Sequence, residues 1–390
     1  MAEKFSRFRD AGTGIQVFLT PVPPASGTSA LTLALSPISF VLGAVRVILI
    51  SFLALIWSLF SLGSTVGRLN SIFARAILFM IGFVWINVEH VSLRSRGRAA
   101  SSAKTPFAPG PGDLVLSNWS SWIDLLWLST KFSPIFALPV VAPSARSTGT
   151  STPGTESPAR RKNVNKGSAA YLPSSASQST EETHRLLGFR KASFLEVIRI
   201  TGEAPLLDDG RNDYQSLDKI CATSHSPVVV FPELVTSNNR GLLRFATIFP
   251  EAWRNLYRST GALRMPKGQP KIFVLSFKHE PPTALLPTTV HSVPSGKSSS
   301  DTGLNPAPHL WSLVNTLPAS RGMTVRLLDP AESVTGPTYL SDPQLATNLK
   351  IEDPVAEACA GLVSGLSRLR RTNLGWEDKE AFLDMVRRRR

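Results

Sequence analysis

Asp113-Leu114-Val115-Leu116-Ser117-Asn118-Trp119-Ser120-Ser121-Trp122-Ile123-Asp124 sets the architecture expected of the chain. Its first four residues read as a short buried strand. Ser120 or Ser121 is a natural helix N-cap, and residues 121–131 read as the helix that follows. Residues 135–141 form a second strand window. Strand, polar turn, helix and strand in that order predict an α/β unit.

Outwards from this unit the alternation continues. Residues 191–199 and 213–222 read as short helices, and residues 227–231 as a buried strand running straight into Glu233. Residues 272–277 are a further strand, followed by Lys278-His279-Glu280, and residues 323–328 alternate as a strand. Residues 355–369 and 377–386 close the chain as helices before an arginine run at 387–390. The expected fold class is α/β: a mixed, largely parallel sheet flanked by helices, preceded by an N-terminal hydrophobic helical hairpin. No internal repeat is present.

The hairpin comes from two apolar blocks. Residues 31–62 carry Arg46 as their only charge, and residues 72–87 carry Arg75. A spanning helix needs roughly 20 apolar residues, so the first block is long enough and the second is marginal. Lys4, Arg7 and Arg9 precede the pair, and Arg94, Arg96 and Arg98 follow it. By the positive-inside rule both flanks stay cytosolic. Two buried core helices would be the alternative, but so long a run with one charge is rare in a soluble fold. The N-terminus does not read as a secretory signal, because charges and a Pro/Gly/Ser/Thr stretch come before any apolar run.

The expected layout is therefore a flexible cytosolic segment at 1–30, a membrane hairpin at 31–94 and an α/β domain at 105–345. C-terminal helices and a basic tail occupy 346–390. Residues 142–182 and 282–306 are rich in Ser, Thr, Pro and Gly and read as disordered inserts. The 390 residues carry a net charge of +14, which calls for an anionic partner: nucleic acid, a lipid surface or a phosphate-bearing substrate. No nucleic-acid motif accompanies that charge, so no nucleic-acid partner is expected. Two cysteines, Cys221 and Cys359, exclude a disulfide framework and a thiolate metal site.

Two phrases carry chemistry. The first is Asn118 with Asp124 after four intervening residues beyond Trp119, and the second is Phe231-Pro232-Glu233-Leu234-Val235-Thr236-Ser237-Asn238. In this order, behind an apolar hairpin, they resemble the two signatures of the glycerolipid acyltransferase family, Asn-His-(four residues)-Asp and Phe-Pro-Glu-Gly-Thr. The opening Phe8-Arg9-Asp10-Ala11-Gly12-Thr13-Gly14-Ile15, with Phe18-Leu19 after it, is similar to the start of the fungal lysophosphatidic acid acyltransferases that use oleoyl-CoA.

The resemblance implies an enzyme of the endoplasmic reticulum membrane or the lipid droplet, with its catalytic domain cytosolic. It would move a fatty acyl chain, oleoyl by the fungal likeness, from acyl-CoA to lysophosphatidic acid or a related lysophospholipid. In that family the signature His takes the acceptor's proton, the Asp orients the His, and the second signature helps bind the substrate phosphate. Carried to this chain, Asp124 and Asn118 are the catalytic positions. Glu233, Asn238 and Arg240 are the phosphate-binding ones. No metal or tightly bound cofactor is implied; acyl-CoA is a co-substrate, and the membrane is the partner.

Two departures stand out. Trp119 occupies the His position, and an indole cannot accept a proton. Leu234 and Val235 replace the Gly-Thr of the second signature. The replacement base is expected among His279, His184 and Asp124 itself, unless positioning and charge stabilisation suffice for an already activated thioester. Plainer roles stand beside these: Asp124 as a helix-start carboxylate, Asn118 as a turn residue, Arg240 as a solvated loop cation. The alternative function is an inactive acyltransferase-fold protein that binds lipid or acts as a scaffold at the reticulum or droplet.

Overall fold

The computed structural model describes residues 2–24, 30–61, 67–94, 105–142, 185–266, 268–295, 305–316 and 320–388. Its strands are β1 (Asn87–Val91), β2 (Leu114–Ser117), β3 (Ile135–Val141), β4 (Leu186–Ala192), β5 (Leu206–Leu207), β6 (Val228–Val230), β7 (Gly241–Leu242), β8 (Ile272–His279), β9 (Met323–Leu328) and β10 (Arg370–Arg371). The helices are α1 (Ala30–Ser61), α2 (Gly67–Ile81), α3 (Trp122–Phe132), α4 (Phe194–Ile200), α5 (Leu217–Ala222), α6 (Glu251–Thr260), α7 (Ala307–Val314), α8 (Pro343–Thr347), α9 (Pro354–Ser367) and α10 (Trp376–Arg387).

The main sheet runs β1-β9-β8-β2-β6-β3-β4, with β5 beside β3. β2 lies parallel to both β6 and β8, β6 is parallel to β3, and β9 is parallel to β1. β4 and β9 run antiparallel to β3 and β8. The sheet is thus mixed and mostly parallel, flanked by helices. Its central strands are short apolar runs because both faces are covered. Leu114, Leu116, Val228 and Val230 pack with Phe18, Leu217, Tyr257 and Phe382 on one face. Val115, Val229, Phe273 and Leu275 pack with Leu78, Ile123, Trp127 and Leu313 on the other. Each such side chain contributes on the order of 1.5–3 kcal/mol when buried.

Between Leu35 and Leu59, α1 is long and apolar enough to cross a membrane. One face of it lies on the domain. Phe40 meets Trp311 edge-on at 5.4 Å, Arg46 donates to the carbonyls of Val314 and Thr316 at 3.1 Å, and Trp57 Nε1 donates to Asn70 at 2.8 Å. The opposite face exposes Ile38, Val41, Val45, Ile48, Phe52, Leu55 and Leu59. The second apolar block differs from the first. At 15 residues, α2 is short, and it buries Ala74, Ile77, Leu78 and Ile81 against the domain. Strand β1 also falls within the stretch assigned to the hairpin.

Three boundaries need correction. Residues 2–24 do not form a flexible leader. Asp10 accepts from Thr13 N at 2.7 Å and from Asn373 N at 2.9 Å, and Phe8, Val17 and Phe18 are buried in the core. The C-terminal helices α9 and α10 share that core rather than standing apart. Residues 282–295 of the second expected insert are an ordered strap whose Thr289, Val290, His291 and Ser292 are buried. Their fixing bonds go to residues far away in sequence, which composition does not register. Residues 143–182 of the first insert, and His184, lie outside the described residues.

Candidate functional site

The site forms where β2 and β8 end side by side and α3 begins. Ser121 caps α3 in an extended conformation, and Asp124 at the third helical position closes a capping box. Asp124 Oδ2 accepts from Ser120 N at 3.0 Å, Ser120 Oγ at 3.1 Å and Ser121 N at 2.9 Å. Its other oxygen, Oδ1, stands 2.7 Å from His279 Nε2 at the end of β8. The two side chains are essentially without solvent contact, at 1% for His279 and 0% for Asp124. His279 Nδ1 lies 2.9 Å from Thr289 Oγ1 on the strap.

Every other partner of Asp124 is an N–H or O–H, so both of its oxygens act as acceptors. In the neutral tautomer that donates Nε2–H to Asp124, His279 Nδ1 is left to accept from the Thr289 hydroxyl. An imidazole oriented by a carboxylate, with a hydroxyl on its free nitrogen, has the connectivity of a general base poised to take a proton.

Asn118, expected at the catalytic position, braces the strand beside it. Its amide donates to Phe277 O at 3.1 Å and accepts from Phe277 N at 2.8 Å, which extends the β2–β8 pairing by one residue. Asn239 does the same from the far side: Nδ2 donates to Phe277 O at 2.9 Å and Oδ1 accepts from His279 N at 3.2 Å. Trp119 stacks on Phe231 at 4.7 Å and is buried. Among the described residues nothing accepts from its Nε1.

The second signature is turned inwards. Glu233 accepts from Trp119 N at 3.3 Å and from Leu243 N at 3.0 Å, tying the two signatures together. Burial raises its carboxyl to about 8, outweighing those two N–H donors. Leu234, where the resembling signature has glycine, keeps the left-handed backbone that glycine adopts freely, with φ 58°. For leucine that conformation costs roughly 1–2 kcal/mol, and burial of its side chain offsets it.

Asn238 Nδ2 donates to Gln16 O at 2.5 Å and Leu19 O at 2.9 Å. It fastens the N-terminal segment and does not face outwards. Arg240 is exposed. The side chains of Glu233 and Asn238 are held by backbone groups, and Arg240 alone of the three is open to an anion.

A second polar layer lies behind the strap. Trp122 Nε1 donates to His309 Nδ1 at 2.9 Å, and His309 Nε2 lies 2.9 Å from Thr288 O. Burial lowers His309 to about 4 and, with His309 beside it, His291 to about 3. The two rings stack at 4.8 Å as neutral imidazoles. Lys379 is buried as well, brought down to about 7 by desolvation, with Nζ donating to Thr236 O and Ser292 O. The other side of Trp122 lines an apolar cavity of about 410 Å³ between α1, α3, α4 and α7, walled also by Ile50, Trp57, Leu126 and Phe194. That volume is in the range of small-molecule sites, about 300–1,000 Å³.

Asp124 and His279 are thus together, while Arg240 stands apart at the surface. Thr289, Asn239, His291, His309 and Lys379 were missed. The strap's composition concealed Thr289 and His291, and a lysine on a terminal helix gives no local sign that it is buried. Among the described residues no cluster of metal-ligating side chains occurs. Comparison with known proteins gives no relative: no family model, no curated sequence and no solved structure matches the chain.

Proposed function

We propose that the protein transfers a fatty acyl chain, oleoyl in the first instance, from acyl-CoA to the free hydroxyl of lysophosphatidic acid or a related lysophospholipid, forming phosphatidic acid. One observation carries this reading. The base missing at position 119 has a counterpart in His279, held by Asp124 at 2.7 Å. A general base of this kind is worth about 10²–10⁴ in rate.

The apolar outer face of α1 would seat the domain on lipid, at the endoplasmic reticulum membrane or the lipid-droplet surface with the domain on the cytosolic side. The inner face of α1 walls the cavity, so an acyl chain leaving the lipid phase would meet apolar surface continuously. Arg240 would attract the substrate phosphate from outside. The excess of positive charge suits an anionic surface and anionic substrates.

The second reading, an inactive lipid-binding or scaffolding module, is favoured by the stacked Trp119 and by the deep burial of the Asp–His pair. Full-length protein reconstituted in lipid, given labelled oleoyl-CoA and a panel of lysophospholipids, separates the two. Phosphatidic acid made from lysophosphatidic acid supports the enzyme. Protein that binds lipid yet yields no product with any acceptor sinks it.

A further inference from the structure

We infer that Thr289 is a nucleophile, and that acyl transfer passes through an ester on its hydroxyl. The inference rests on the acyl-transfer reading and gives it a two-step course. Three groups stand in line: Asp124 Oδ1, His279 Nε2 at 2.7 Å, and Thr289 Oγ1 at 2.9 Å from His279 Nδ1. A hydroxyl within hydrogen-bond reach of a base, the base itself oriented by a carboxylate, is the geometry of an activated nucleophile. Among the described residues His279 is the one partner of that hydroxyl.

The peptide around Thr289 is held by the same residues that hold Asp124. Ser121 Oγ donates to Thr289 O at 2.7 Å, and His291 N donates to Ser120 O at 2.9 Å. On the cavity side, His309 fixes Thr288 O at 2.9 Å and is itself fixed by Trp122, a cavity wall. A buried strap pinned from two sides keeps its hydroxyl in one position, as attack on a bound carbonyl requires. The strap's exposed run includes Leu285, and Thr289 is the first buried residue after it.

The steps balance. Thr289 Oγ1 bonds to the thioester carbonyl carbon while its proton passes to His279 Nδ1. The carbon–sulfur bond breaks, and His279 returns the proton to the departing CoA thiolate. The acceptor's hydroxyl then loses its proton to His279, attacks the threonyl ester and takes the acyl group. The Thr289 oxygen recovers the proton from His279.

The test uses the full-length protein in lipid with labelled oleoyl-CoA and no acceptor, quenched on the timescale of one turnover. We expect CoA thiol released in a burst equal to the enzyme present, label retained on denatured protein, and a peptide heavier by one oleoyl group at Thr289. Thr289→Ser should keep the label. Thr289→Val, close to it in shape, should lose the label and at least about a hundredfold of the transfer rate.

Product formed by the wild type without burst or label, or by Thr289→Val at the wild-type rate, would overturn the nucleophile while leaving His279 as base in a direct transfer. A wild-type protein that neither labels nor transfers would overturn both. Should Thr289→Val fail to fold, the wild-type peptide map decides alone.

Discussion

The loops at 117–124 and 231–240 begin alike and end differently. Each leaves a central parallel strand, each is buried as far as its carboxyl group, and each sets that group just beyond the strand. Glu233 gives both oxygens to backbone N–H groups, and the Asn238 amide goes to backbone carbonyls. Asp124 gives one oxygen to its own loop and the other to an imidazole that in turn faces a hydroxyl. A carboxyl held by the N–H groups of neighbouring loops serves as a rivet, whereas one bound to a titratable side chain can orient a reagent. The second loop holds the first in place, through Glu233 on Trp119 and Ser237 N on Trp119 O at 2.9 Å.

That contrast can be broken by substitution. Asp124→Asn should have the largest effect, because an amide cannot accept from the loop and orient His279 as the carboxylate does. We expect a loss of at least about a hundredfold in acyl transfer, with roughly 1–3 kcal/mol of unfolding free energy from the broken network, read by assay and urea titration. Equal losses in Glu233→Gln would erase the distinction between the loops.

Glu233→Gln should instead change how stability responds to pH. The folded carboxyl titrates at about 8 and the unfolded one near 4.5, so the folded chain keeps a proton that the unfolded chain releases. The stability tied to that proton is complete below about pH 4.5 and is lost as pH rises through about 8. Lys379 has the opposite sign. Brought down from 10.5 to about 7, it costs stability in full below about pH 7, and that cost fades as pH rises from about 7 towards 10.5. Urea titrations at pH 5, 8 and 10 should show Glu233→Gln without the acid-side fall and Lys379→Met without the alkaline rise.

Asn238→Ala should be a stability mutation of about 1–3 kcal/mol, from two orphaned carbonyls, with an unchanged KM for lysophosphatidic acid. A KM that rises while stability holds would return Asn238 to the phosphate. Trp119→Phe should be the mildest. Its Nε1 has no acceptor among the described residues, and a phenyl ring can stack on Phe231. Transfer should stay within about threefold of wild type, under 1 kcal/mol of barrier.

Much of the fold could be read in the sequence because its central strands are short, apolar and bounded by turns. The strand windows at 135–141 and 323–328 coincide with β3 and β9. β4 escaped notice because Arg190 and Lys191 interrupt its apolar pattern and drew attention to the helix beyond it. Asp124 was found through its spacing from Asn118, and His279 through its place at a strand end. Thr289 and His291 were not found, since Pro and Thr around them resemble a linker until bonds from Ser120 and Ser121, about 170 residues away, hold them. The orientation of Glu233 was illegible for a similar reason: sequence marks a carboxyl after a strand but does not show which way its oxygens point.

The most direct measurement compares His279→Asn with Trp119→Phe in the reconstituted oleoyl transfer to lysophosphatidic acid, alongside the wild type, each variant checked for folding by thermal melting. If His279 supplies the base that position 119 lacks, His279→Asn falls by at least about a hundredfold while Trp119→Phe remains near wild type. A folded His279→Asn protein that still makes phosphatidic acid at the wild-type rate would contradict it and leave the Asp124–His279 pair as a rivet like Glu233.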